Sequence, residues 1–388
     1  MPGRDLLQIP GPSNIPRRVL EAIAKPTMDH RGPEFAEIAI KVHRDMERMV
    51  GTKSHVVLYP ASGTGAWEAA LANTMSPGDR VLFYETGQFA SLWTKVAGRL
   101  GLDPLVIGGD WRRGVVVDEI GKSLTDDRSH TIRAVCVVHN ETSTGASSNI
   151  AQVRKVIDEI GHPALLIVDT ISSLGSLAYA HDELGVDVTV GASQKGLMLP
   201  PGLSFNAVSA KALDQQTSAK CAWAYWDWTE MLRNADAGAY PFTPASNLVV
   251  GLSEALDMLL EEEGMDAVVA RHDRLAEATR KCVTSWGLEI QCEDVADRSN
   301  VLTAVRLPDG HDADALREII RTRFGVALGN GLGQLAGKVF RIGHLGDFNE
   351  TMLAGTLAAV EMGLRLSQVP LQDSGLPTAL DHMAANSG

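Results

Sequence analysis

The chain has 388 residues, 45% of them hydrophobic and 21% charged, and a formal net charge of −13. That length suits a large domain plus a small one, and the composition is that of an ordinary globular protein. The acidic balance argues against nucleic acid or an anionic membrane as partner, yet leaves room for a local cationic pocket.

The start, MPGRDLLQIPGPSNIP, has no long apolar run behind a basic segment, so no signal peptide is expected. No uncharged apolar stretch approaches the length of a membrane span. Residues 1–35 are punctuated by Pro and Gly, with a short helix expected around 18–24. Helical spacing returns in FAEIAIKVHRDMERMVG and stops on Gly51, as helix ends often do. Then strands and helices alternate. HVVLYP reads as a strand and GTGAWEAALANTM as a helix; RVLFYET is a strand and ASLWTKVAGRLG a helix. PLVIGG, AVCVVHN, ALLIVDT and VDVTVGA are further apolar runs, with helical stretches such as IAQVRKVIDEIG between some of them. This alternation predicts a largely parallel sheet covered on both faces, with any ligand beyond the carboxyl ends of its strands.

Two long helices are expected over NLVVGLSEALDMLLEEEG and MDAVVARHDRLAEATRKCVTSWG. After them VLTAVRLP, DADALREIIRTRFG, VALGNG, KVFRIGHLG and NETMLAGTLAAVEMGLRLS suggest a smaller α/β unit. The expected division is an N-terminal segment over 1–35, a large domain over 36–265 and a small one over 266–388. The tail from Gln368 is polar and expected to be weakly ordered.

The candidate chemistry gathers at the predicted strand ends. Asp169 closes one apolar run, and Lys195 follows the next in the Gly/Pro-rich segment GASQKGLMLPPGL. A lysine there is badly placed for a core and well placed for a Schiff base; an aspartate on the neighbouring strand suits a pyridinium nitrogen. Pyridoxal phosphate demands both groups. Taken singly, Asp169 also reads as a helix cap and Lys195 as a solvated loop residue. The turn Ser62-Gly63-Thr64-Gly65 opens a helix after a strand and can cradle an anion, although it is neither a P-loop nor GxGxxG. Arg341, in an apolar strand context, is expensive unless paired; it suits either a carboxylate substrate or an internal salt bridge. Phe89 can stack on a flat ring or sit in the core. The aromatic cluster Trp223-Ala-Tyr225-Trp226-Asp227-Trp228 reads as core or interface packing. Cys136, Cys221, Cys282 and Cys292 lack paired metal-ligand spacing and read as reduced thiols of a cytoplasmic protein. His30, His139 and His344 also lack such spacing, and no metal site is expected.

The blocks GPSNIP, DHRGPEF, ASGTGAWEAAL, GQFASLW, VHNETSTG, LLIVDTISSLGSL, GASQKGLMLPPGL, YPFTP and GKVFRIGHLGD occur in one order over about residues 5–365. Together they resemble the class V pyridoxal-phosphate aminotransferases, and within them the serine–glyoxylate and alanine–glyoxylate branch. The resemblance implies a fold-type I architecture: a large domain with a mostly parallel seven-stranded sheet between helices, plus a smaller C-terminal α/β domain. It implies that Lys195 holds the cofactor and carries the proton, and that Asp169 keeps the pyridine nitrogen protonated. Phe89 would stack on the ring and Thr142 would lie near its phenolic oxygen. Thr64, Gly65, Ala66 and Gln194 would hold the phosphate, joined by Tyr240 and Thr243 from the neighbouring subunit of a homodimer with shared active sites. Arg341 would clamp the substrate carboxylate, with Ser13 and Asn14 on the substrate side. Arg31 is typical of the serine–glyoxylate type and could instead serve a second carboxylate. The implied reaction moves the amino group of L-serine to glyoxylate, with alanine or aspartate as alternative donors. A lyase or desulfurase on the same fold is the other class, and a desulfurase would need a mobile cysteine. Close relatives read VDG where this chain has Val168-Asp169-Thr170, which suggests added bulk behind the cofactor.

Overall fold

The computed structural model describes residues 5–386; the first four residues of the N-terminal segment and the last two of the tail lie outside the described residues. In chain order the strands are β1 (Leu6–Gln8), β2 (His55–Tyr59), β3 (Arg80–Glu85), β4 (Asp103–Gly108), β5 (Ile132–Val138), β6 (Asn140–Glu141) and β7 (Ala146–Ser147). They continue with β8 (Leu165–Asp169), β9 (Val188–Ala192), β10 (Ser204–Val208), β11 (Glu289–Ile290), β12 (Leu302–Arg306), β13 (Val326–Asn330) and β14 (Val339–Gly343). The first four helices are α1 (Arg17–Ile23), α2 (Pro33–Val50), α3 (Gly63–Thr74) and α4 (Gln88–Arg99).

Seven strands form the larger sheet in the order β2-β10-β9-β8-β5-β3-β4. From β9 to β4 all pairs are parallel, and β10 runs antiparallel to both its neighbours. Side chains alternate between the faces, as strand geometry requires. Val81, Phe83, Cys136 and Ile167 join a core with Trp67 of α3 and Trp93 of α4. Leu82, Val135, Val137 and Leu166 face the other way, onto Ile120, Val153 and Ile157 from helices Val117–Asp126 and Ile150–Ile160. With both faces covered, the strands have no room for charge except at their ends.

The second sheet has the order β1-β13-β14-β12-β11, antiparallel except for β1 on β13. Its core gathers Trp286, Ile320, Phe340, Ile342 and Leu357. The N-terminal strand therefore belongs to this smaller sheet, and the chain after it crosses to the larger one, where the Ser13 amide donates to the Gln194 carbonyl over 3.0 Å. The expectation of a weakly ordered tail is not met. Helix Leu376–Ala385 docks there because Leu376, Ala379 and Met383 share one helical face, and Ala379 and Met383 are buried in the second core. Among the described residues no helix is long and apolar enough to cross a membrane.

The aromatic cluster divides. Trp228 is fully buried and its indole N–H donates to Tyr59 Oη at 2.6 Å, whereas Tyr225 is exposed and stacks on Phe242 with centroids 4.3 Å apart.

Candidate active site

Ser62, Gly63, Thr64, Trp67, Phe89, Val138, Asn140, Thr142, Asp169, Ile171, Ser172, Gln194 and Lys195 line one cavity of about 130 Å³ at the carboxyl ends of the large sheet. A wider groove of about 450 Å³ runs past Arg48, Tyr179 and Met265, but no lysine lies in it.

Lys195 stands three residues beyond β9, with 8% of its surface exposed. Its Nζ donates to the Pro10 carbonyl, and its own carbonyl accepts from Ser13 Oγ at 2.8 Å. The N-terminal segment thus closes over the lysine. Gly11 makes this approach possible: its φ is +85°, and a Cβ there would fall 2.3 Å from Lys195 Cδ. Burial brings the Lys195 ammonium down from 10.5 to about 8, assisted by Arg341 and opposed by Asp169.

Asp169 ends β8 and is 4% exposed. Its Oδ1 accepts from the Ile171 amide at 2.7 Å, which caps a turn at 171–176; no helix follows, so the helix cap read from the sequence is not present. Its Oδ2 accepts from Trp67 Nε1, also at 2.7 Å. Burial pushes the carboxyl up to about 7 against the pull of these two donors.

At the other end of the cavity α3 begins. The amides of Gly63 and Thr64 precede its intrahelical bonds, while those of Gly65 and Ala66 turn back to the Ser62 carbonyl at 2.9 and 3.4 Å. Gly65 and Ala66 are absent from the cavity wall; a Cβ on Gly65 would meet the Trp226 ring at 2.9 Å. Gln194 Oε1 is buried without a partner, a vacant acceptor in the wall.

Arg341 reaches the same place from β14. It is 6% exposed, and no carboxylate among the described residues lies within ion-pair distance, so the internal salt bridge is not what holds it. Instead Nε donates to the Asn330 carbonyl and Nη1 to the Thr142 carbonyl, each at 2.7 Å. Burial lowers it to about 10, and the buried Glu141 opposes that. Glu141 was not singled out from the sequence. Its carboxylate accepts from the Phe89 and Ala90 amides and from Ser143, capping α4 and seating Phe89 in the wall. Ser172 was not singled out either, and Asn140, read at the end of the AVCVVHN run, joins it: Asn140 Nδ2 and Thr142 Oγ1 both donate to Ser172 Oγ, at 2.8 and 3.0 Å. Their signal was position, immediately after β5 and β8.

Besides Gly65 and Ala66, six expected site residues are absent from this cavity's wall: Ser13 and Arg341 border it through Lys195 and Thr142, and Asn14, Arg31, Tyr240 and Thr243 lie away from it. Asn14 Nδ2 turns back to the Leu7 carbonyl at 3.0 Å. Arg31 and Thr243 are exposed. Tyr240 Oη faces His43 Nε2 at 3.3 Å. Thr170 also stays out of the wall: its Oγ1 donates to the Val190 carbonyl at 3.0 Å, which directs its bulk into the sheet.

A buried amine and a buried carboxylate in one cavity at the ends of a parallel sheet, with a helix N-terminus in its wall and a guanidinium from the second sheet beside it, make a site that can take an anionic ligand and a carboxylate. Comparison with known proteins agrees. The family model for class-V aminotransferases matches residues 6–343. The chain is 44% identical to a serine–glyoxylate aminotransferase of Methylorubrum extorquens, over 99% of this chain and 97% of that one. It is 40% identical to an L-aspartate–glyoxylate aminotransferase of Paracoccus denitrificans, over 98% and 97%. The solved structure of pyridoxamine–pyruvate aminotransferase from Mesorhizobium loti superposes with a TM-score of 0.92 at 28% identity, covering 99% of this chain and 98% of that one. The chain belongs to the class-V aminotransferase family and is a transaminase.

Proposed function

We propose that this transaminase binds pyridoxal 5′-phosphate and moves the amino group of L-serine to glyoxylate, giving hydroxypyruvate and glycine. The observation that carries the reading is that Lys195 and Asp169 line one buried cavity together, with the α3 N-terminus in the same wall. The residues present fit the cofactor. A phosphate, which accepts hydrogen bonds, suits the free amides of Gly63 and Thr64, the Thr64 hydroxyl and the side-chain NH2 of Gln194, all in one wall. Phe89, Asp169 and Thr142 line the same cavity and would hold the cofactor's ring.

When bound, this cofactor supplies an electron-accepting ring and a carbon that accepts and returns an amino group. Lys195 Nζ is the nucleophile that holds it and then the base that moves a proton at the substrate α-carbon. With its ammonium brought down to about 8, a sizeable fraction is free base near neutral pH. Asp169, its carboxylate held by the Ile171 and Trp67 donors, would hold the ring nitrogen. Arg341, fixed by two carbonyls through Nε and Nη1, presents its remaining N–H groups to the substrate carboxylate. Trp67, Phe89, Val138 and Ile171 keep water from the reacting atoms.

L-Serine is placed ahead of aspartate because the chain is 44% identical to a serine–glyoxylate aminotransferase and 40% identical to an L-aspartate–glyoxylate aminotransferase. A desulfurase is disfavoured because Cys282 and Cys292 are fully buried, and burial raises both thiols, Cys292 to about 12. We also place residues 36–265 in the large domain and 266–388 in the small one. The protein acts as a cytoplasmic homodimer in which Tyr240 and Thr243 serve the neighbouring site. The exposure of Thr243 and of the Tyr225–Phe242 stack supports that reading, and light scattering at twice the chain mass tests it.

The reaction is tested with the cofactor-loaded protein, glyoxylate and one donor at a time, measuring glycine by chromatography. The highest kcat/KM is expected with L-serine. A higher value with L-aspartate replaces the donor, and no glycine from serine, alanine or aspartate rejects the reading.

A further inference from the structure

Helix α3 presents two things to one cavity. Its first residues, Gly63 and Thr64, lie at the end where a phosphate fits. Trp67 follows one turn later on the same face and reaches the opposite end, where its Nε1 meets Asp169 Oδ2 at 2.7 Å. The indole is only 3% exposed and cannot easily turn. It lies parallel to Trp93, with centroids 5.8 Å apart and planes 13° apart, and Trp93 in turn meets Phe83 edge-on at 5.7 Å.

An indole N–H can donate and never accept, so it distinguishes the two forms of a carboxyl group: it stabilises the anion. Asp169 carries one donor on each oxygen, the Ile171 amide and the Trp67 indole. Together they fix the plane of the carboxylate and leave its remaining lone pairs toward the cavity. Trp93 provides an internal contrast, because its own Nε1 is buried without any partner. The two stacked indoles are therefore alike in packing and differ in what the N–H does.

We propose that Trp67 is a positioning residue that acts through Asp169: its N–H holds the Asp169 carboxylate ionised and oriented toward the ring nitrogen of the cofactor. The same helix would then set both ends of the ligand, the phosphate by its N-terminus and the ring nitrogen by its second turn. This inference rests on the pyridoxal phosphate reading above.

Its test is equilibrium binding to the cofactor-free protein by calorimetry, with two probes: pyridoxal phosphate and its 1-deaza analogue, in which C–H replaces the ring nitrogen. Trp67→Phe removes the donor to Asp169, and Trp93→Phe removes an indole N–H that bonds nothing. Trp67→Phe is expected to raise the Kd for pyridoxal phosphate about tenfold and to leave that of the deaza analogue within about twofold. Trp93→Phe should leave the ratio of the two Kd values unchanged. Equal weakening of both probes by Trp67→Phe, or no weakening of either, overturns the proposal, since a packing role does not distinguish the ring nitrogen. Where Trp67→Phe fails to fold, benzothienylalanine at position 67, with sulfur in place of N–H, keeps the stack and is held to the same criterion. Failure of the unaltered protein to bind pyridoxal phosphate is a separate outcome: it removes the cofactor reading itself, and this inference with it.

Discussion

Lys195 stands on a loop beyond β9 of the larger sheet, whereas Arg341 stands inside β14 of the smaller one. Both are buried cations, and they differ in how the fold accommodates them. In the parallel sheet every residue of β8 and β9 is buried, so charged groups are displaced to the strand ends; Lys195 there is met by the N-terminal segment through Pro10 and Ser13. The antiparallel sheet admits a long side chain from mid-strand because its guanidinium exits toward the other sheet and finds two carbonyls. One cation is held by a segment that folds over it, the other by backbone groups already in place. The first arrangement suits a group that must move, the second a group that must stay.

The largest expected effect breaks the mobile side of this contrast. Lys195→Ala should lower turnover to below about one ten-thousandth while circular dichroism stays native; normal turnover would remove Lys195 from the chemistry. On the fixed side, Arg341→Lys keeps the charge and loses the fork. It should raise KM for both carboxylate substrates by about tenfold to a hundredfold, with a smaller change in kcat. Gly11→Ala tests the segment over the lysine. A Cβ there would lie within 2.3 Å of Lys195 Cδ at a φ of +85°. The variant should lose about 1–3 kcal/mol of stability and take up cofactor more slowly, as read by thermal unfolding and by visible absorbance.

The pH dependence sharpens the same point. Protonated Lys195 cannot attack an aldehyde, and burial brings its ammonium down from 10.5 to about 8. The rate of cofactor uptake by cofactor-free protein should therefore rise with pH and level off above about 8, rather than climb toward 10.5 as for an exposed lysine. Stopped-flow absorbance across that range checks it. The smallest effect belongs to Thr170. Its hydroxyl is spent on the Val190 carbonyl, so Thr170→Gly should lower stability by about 1 kcal/mol and leave donor preference within about twofold.

The inner parallel strands were legible because both faces are covered and each reads as a largely apolar run; β4, at the edge and mostly exposed, was legible from its apolar residues alone. Strand β10 was not, since its buried Ser204 and Asn206 interrupt the run. Asn206 is accommodated by Tyr59 Oη and the Ala66 carbonyl, partners that no local pattern announces. Lys195, Asp169 and Thr64 could be read from their place at strand ends. Trp67 and Glu141 could not, because each acts on a residue distant in the chain: Trp67 on Asp169, and Glu141 on the first amides of α4. Arg31, Tyr240 and Thr243 rested on family resemblance alone, and within one chain they lie away from the cavity. The docked helix at 376–385 was missed because it was read together with the polar stretch before it; Leu376, Ala379 and Met383, three and four residues apart, share the face it buries.

The most direct measurement is the visible spectrum of the cofactor-loaded protein before and after L-serine is added without any acceptor. The account predicts that the visible band of lysine-bound cofactor gives way to the shorter-wavelength band of its amino form, and that glyoxylate restores it. A visible band that L-serine leaves unchanged, at concentrations that saturate related transaminases, would contradict serine as donor; no visible band at all would contradict the lysine-bound cofactor.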